Sequence, residues 1–139
     1  MIKIALITFL VFATGSGFTQ SGSWSIKLDG KTILATGTEN EKLNVRKITN
    51  KSWKGKGKLE IRFRENEPAV WRRSFLLVDE NENQLLSKDS VTYTSIRIEA
   101  LRKLFLGKKQ VRIYTVVAPL DPTIAIRMRR LHLCTLQLP

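Results

Sequence analysis

Two residues near the C-terminal end carry the groups best suited to covalent or metal chemistry. His132 is the only imidazole and Cys134 the only thiol in 139 residues. Two positions apart on an unbroken strand, they share a face with backbones about 7 Å apart, at a rise of about 3.3 Å per residue. That makes them neighbours without placing them for a direct hydrogen bond. A Ser, Thr or Cys nucleophile is weak without an adjacent base, and no nucleophile-elbow glycine pattern is present, so no catalytic residue is assigned. Met128 has the same parity, and thioether, thiol and imidazole together would suit copper. A change of strand phase expected near Arg129-Arg130 separates Met128 from His132, and no further His, Cys or acidic cluster joins them. The expectation is a buried Cys134 beside a hydrogen-bonded His132, with no metal and no cofactor. The sharper alternative for a lone thiol in an oxidising compartment, pairing between molecules, is the weaker reading.

Paired carboxylates need two acids facing each other across a cleft. Of the 12 acids, Asp29, Asp79, Glu80, Glu82 and Asp121 belong to turns, and Glu39, Glu41, Glu65 and Glu67 to loops. Neither a Gly-rich phosphate loop nor a dinucleotide fingerprint is present. A small extracytoplasmic hydrolase built on acids that folding brings together is therefore the alternative reading, and a structural or assembly subunit a third.

The basic residues are the feature left to explain. There are 24 Lys and Arg, for a net charge of +12, above the magnitude of about 2–8 usual for a small soluble domain. They cluster: Lys51, Lys54, Lys56 and Lys58 around Trp53; Arg62 and Arg64; Arg72 and Arg73 beside Trp71; Lys108 and Lys109; and Arg127, Arg129 and Arg130. Guanidinium forks and mobile ammonium groups interleaved with Trp suit a polyanion. The expected contact residues are Trp53, Lys54, Arg62, Arg64, Arg72 and Arg127. The competing expectation is a solvated basic surface that only keeps the protein soluble.

The elements that position these groups follow from periodicity. Lys3 precedes an unbroken apolar run from Ile4 to Ala13 and then small residues, the pattern of a signal peptide rather than a membrane span. Residues 1–19 are read as a cleaved leader, with cuts after Gly15, Gly17 or Thr19 all allowed. Residues 20–139 are read as one β domain, with a net charge of +11 once Lys3 is removed. The destination is periplasmic or extracellular. There the partner is expected to be an acidic glycan, a lipid headgroup or an acidic protein rather than a nucleic acid.

Within the domain the dominant period is two, that of strands. Trp24, Ile26 and Leu28 alternate up to Asp29-Gly30, a two-residue hairpin turn that would pair Ile26 with Ile33 and Trp24 with Ala35. Lys58 to Arg64, Val70 to Val78, Gln84 to Lys88, Val91 to Ile96, Lys109 to Ala118 and a long run from Thr123 to Leu138 complete the strands. Only Glu99 to Leu106 prefers a helix, with Leu101, Leu104 and Phe105 to one side and Gly107 as its stop. KSWKGKGK (Lys51 to Lys58) reads as a loop. The prediction is all-β and mostly antiparallel: a β-sandwich or small barrel of seven to eight strands with one short helix near residues 99–106.

Four stretches carry a resemblance: SWSIKLDGK (Ser23 to Lys31), LRKLF (Leu101 to Phe105), IYT (Ile113 to Thr115) and IAIRMRRLHLCTLQL (Ile124 to Leu138). They resemble small exported bacterial proteins with an all-β fold and no assigned activity. The resemblance implies an exported bacterial protein of a single domain and says nothing of mechanism.

Overall fold

The computed structural model describes residues 22–66, 71–121, 123 and 129–139. Over these residues the chain forms two mostly antiparallel sheets facing one another, with no closed barrel. Sheet A contains β1 (Gly22–Leu28), β2 (Lys31–Thr36), β4 (Lys58–Glu65) and β7 (Tyr93–Arg97), in the order β2-β1-β4-β7. Sheet B contains β3 (Val45–Lys47), β5 (Trp71–Val78), β6 (Gln84–Lys88), β8 (Gln110–Pro119) and β9 (Leu131–Gln137), in the order β3-β9-β8-β5-β6. Two helices, α1 (Asn50–Trp53) and α2 (Ile98–Leu104), lie beside each other at one end. The leader, Val70, Arg127 and Met128 fall outside the described residues.

Alternation decides the core. Leu59, Ile61 and Phe63 of β4 meet Trp24, Ile26 and Leu28 of β1, and oppose Phe75, Leu77, Val111 and Ile113 of sheet B. The Trp24 indole N–H donates to the Leu133 carbonyl at 3.0 Å, and its ring stacks on Phe63 at 5.9 Å, so one side chain ties the sheets together.

Most of the expected elements are present, and five expectations change. The Asp29-Gly30 turn forms with positive φ at both residues, but the hairpin shifts register after Lys27↔Thr32. Ile26 therefore faces Leu34 rather than Ile33, and Ser25, not Trp24, faces Ala35. The bulge turns Leu34 inward, where it is buried, and leaves the Ile33 carbonyl to accept from Arg46 Nε at 2.7 Å.

The described residues form nine strands, where seven to eight were expected. The additional strand, β3, is three residues long and pairs in parallel with β9, a long-range contact with no local signature. The Lys51 to Lys58 loop begins with one turn of helix, because the Thr49 side chain accepts from Ser52 N at 3.2 Å as an N-cap.

In α2 the inward residues are Ile98, Leu101 and Phe105, while Leu104 points outward. The chain enters from β7 one residue earlier than expected, which rotates the buried face. Gly107 ends the segment with φ 75°.

Finally, Arg129-Arg130 lies outside any strand, and the phase change falls instead at Leu133. Ile113 faces Cys134 while Tyr114 faces His132, so Leu133 is the extra residue of a bulge.

Candidate functional site: a cleft over His132 and an open basic face

The bulge at Leu133 separates the two residues with the most reactive side chains. Cys134 pairs with the inward Ile113 and is fully buried in the core. Burial pushes its thiol up to about 12. His132 pairs with Tyr114 on the opposite face of the sheet. The shared face expected from their spacing is therefore not formed, and the pair cannot act as nucleophile and base. Cys134 is expected to resist a soluble thiol reagent in the folded protein and to react stoichiometrically in denaturant; labelling before unfolding would contradict its burial.

His132 lines a cleft of about 200 Å³ with Glu41, Val45, Gln110, Arg112, Tyr114, Thr135 and Gln137. The imidazole is 2% exposed, its Nε2 lies 2.7 Å from Thr135 Oγ1, and its edge meets Tyr114 at 5.4 Å. Its Nδ1 is buried without a partner among the described residues. Burial lowers its pKa, opposed by Glu41 and Glu39 and assisted by Arg112 and Arg130. The sign of the linkage follows. The unfolded chain takes up the proton as pH falls through about 6.5 and the folded chain resists it, so stability falls below that pH until His132 itself protonates. Denaturation midpoints at pH 7.5 and 5.5 test this, since His132→Gln is expected to shrink the difference between them. The cleft has one acid, Glu41. A second cleft, of about 220 Å³ between Glu65, Trp71, Arg72, Arg73 and Val91, also has one, Glu65. Neither cleft is lined by two carboxylates, although Glu39 accepts from the His132 backbone N–H at 2.7 Å beside the first, and no group of three His, Cys, Asp or Glu among the described residues could hold a metal.

The five basic clusters divide by structure. Three are drawn into ion pairs on sheet B and its loops. Arg73 is 4% exposed: its Nε meets Glu65 Oε1 at 2.6 Å, its Nη2 meets Oε2 at 3.1 Å, and its guanidinium lies 3.6 Å over the Phe63 ring. Lys108 meets the buried Asp79 at 2.9 Å and holds that carboxyl below its usual range. Arg130 pairs with Glu82 and covers Tyr114 at 4.0 Å, Arg112 reaches the same carboxylate at 2.7 Å, and Arg129 pairs with Glu39. Arg72 is exposed but lies on the outer side of sheet B, away from Arg62 and Arg64. Arg127 is outside the described residues.

The other two clusters come together. On sheet A the inward positions of β1, β4 and β7 are apolar or small apart from Glu65, so Lys27, Lys58, Arg62, Arg64 and Arg97 all point outward and are exposed. Ser25, Arg62 and Tyr93 form one row across the sheet, Lys27, Glu60 and Ser95 the next, and Lys58 stands directly opposite Arg97. Rows are about 7 Å apart along a strand and neighbouring strands about 5 Å apart. Arg62 lies 4.7 Å over the Tyr93 ring, and the Tyr93 hydroxyl donates to Glu60 at 2.7 Å. None of the five cations makes an ion pair among the described residues. Lys51, Lys54 and Lys56 are exposed beside them, reached through the Ile98 N–H donating to the Gly57 carbonyl at 3.0 Å. Trp53 is half-buried against the core and fixes α1 to the end of the sandwich.

Lys27, Lys58 and Arg97 were not among the contact residues expected from sequence. The alternation that placed Arg62 and Arg64 outward also applies to them, and only the register shows that they join the same face.

Fold and face together define an all-β two-sheet protein whose sheet A carries an exposed outer face rich in Lys and Arg among the described residues. Comparisons with family models, characterised proteins and solved structures return no match to this chain.

Proposed function

We propose that the protein is exported and binds an anionic partner through the outer face of sheet A, with Lys27, Lys58, Arg62, Arg64 and Arg97 as its cations. The supporting observation is the division of charge. Acids pair with Arg73 and Arg112 of sheet B and with Lys108, Arg129 and Arg130 of its loops, whereas these five cations of sheet A make no ion pair among the described residues and two of them, Lys58 and Arg97, face each other across neighbouring strands. Like charges directly opposite destabilise a sheet, and an anion laid over the face would offset that cost. A flat face with exposed side chains suits an extended anionic surface better than a small molecule. Lys54 extends the same surface at the α1 end.

The test is retention of the protein on immobilised sulfated, phosphorylated and carboxylated polymers across a salt gradient. Retention on at least one beyond physiological ionic strength is the expected result. Elution of all three below it would mean that the charge serves solubility alone.

A further inference from the structure

The basic face continues onto the end of the sandwich that carries α1 and α2, and that end exposes leucine. Leu106 is 83% and Leu104 40% exposed. They are not positions that failed to find the core: Ile98, Leu101 and Phe105 already fill the inward side of α2. Ala100, Lys103 and Leu104 share the outward side at helical spacing, and Gly107 turns the chain away immediately after Leu106. Lys103 and Lys109 flank these leucines in sequence, and Arg97 stands at the other end of α2, with Lys56 and Lys58 joined to α2 through the Gly57–Ile98 hydrogen bond and Lys51 and Lys54 on the adjacent α1. Among these only Lys103 is in an ion pair, with Glu99 at 3.8 Å and exposed, while the Lys109 backbone N–H donates to Glu80 Oε2 at 3.1 Å.

We propose that this end docks on an anionic lipid bilayer, with the cations at the headgroup phosphates and Leu104 and Leu106 entering the interface. The proposal rests on the anionic-partner reading above and chooses among its partners. A soluble acidic polymer would satisfy the cations and leave the two leucines in water. A bilayer offers a plane of negative charge directly above hydrocarbon, and protruding apolar side chains on an end of the sandwich rich in Lys and Arg match that order of layers. No helix among the described residues is long and apolar enough to cross a membrane, so the contact is with the surface.

The experiment is co-sedimentation with phosphatidylcholine vesicles, with and without phosphatidylglycerol, beside retention on immobilised dextran sulfate at the same salt. Three proteins are compared: wild type, Leu104→Gln/Leu106→Gln and Arg62→Glu/Arg64→Glu. Wild type is expected to sediment only with the phosphatidylglycerol vesicles. The leucine variant is expected to bind them about tenfold more weakly, as the loss of two partly inserted side chains predicts, while its retention on dextran sulfate and its melting temperature stay unchanged. Equal vesicle binding by the leucine variant and wild type overturns the proposal, as does a parallel loss on dextran sulfate. Retention of wild type on dextran sulfate without vesicle binding overturns the membrane assignment and leaves the anionic reading standing for a glycan or acidic protein. Failure on both supports overturns both.

Discussion

Glu65→Ala is expected to cost about 3 kcal/mol of folding free energy, because it removes the carboxylate that holds the buried Arg73 guanidinium at two of its nitrogens. Arg73 reaches inward from β5 and Glu65 from the end of β4, so this ion pair bridges the two sheets. Arg73 also donates to Thr115 Oγ1 at 3.1 Å and lies over Phe63. Such a pair is costly to break on one side and cheap to replace as a whole, since the desolvation penalty of each charge nearly cancels their attraction. Arg73→Met/Glu65→Leu is therefore expected to fall within about 1 kcal/mol of wild type. Urea denaturation of the three proteins decides. A single variant as stable as wild type would show that Arg73 finds compensation elsewhere, and a double variant as unstable as the single one would show that the charges themselves are required.

Arg62→Glu/Arg64→Glu is expected to act on binding and hardly on folding. Both residues point to solvent from the centre of sheet A, where Arg62 gives up only its position over Tyr93, worth about 0.5–1 kcal/mol at an exposed site. Each cation held near an anionic surface contributes about 1 kcal/mol at moderate ionic strength. Removing two weakens binding about 30-fold and reversing them weakens it further. The slope of affinity against salt should flatten in the same variant, since fewer counterions are exchanged on binding. Titration at two ionic strengths measures both effects. Unchanged affinity in a folded double variant would remove sheet A as the binding face. Arg72→Glu, which points outward from sheet B instead of sheet A, serves as the matched control and is expected to leave binding within about twofold of wild type, since a charge off the contacting face acts only through screening solvent.

The strands, the Asp29-Gly30 turn and the glycine stop at Gly107 were legible because each depends on residues adjacent in sequence. Alternation in Lys58 to Arg64 placed Arg62 and Arg64 outward correctly. The same parity carried a signal that the clustering of basic residues obscured. Arg73 shares its parity with Phe75 and Leu77, and Glu65 shares its own with Leu59, Ile61 and Phe63, so both point inward from facing sheets. Treating Arg72 and Arg73 as one patch merged a surface cation with a buried one. The bulge at Leu133 was expected as a phase change, but sequence placed it at Arg129-Arg130, because apolar residues occur on both parities of β9 and nothing local fixes where the extra residue sits.

By itself, then, the sequence determined an all-β chain, its turns, its excess of positive charge and the outward direction of most of that charge. These follow from period-two alternation and turn chemistry, which act over a few residues. Only the tertiary structure decided which cations are neutralised. Ion pairing depends on which strands become neighbours: β5 facing the end of β4 brings Arg73 to Glu65, the turn after β5 brings Asp79 to Lys108, and β4 between β1 and β7 gathers Lys27, Lys58, Arg62, Arg64 and Arg97 on one face around a single acid, Glu60, among the described residues. Those neighbours are set by long-range pairing of strands, which no local pattern encodes.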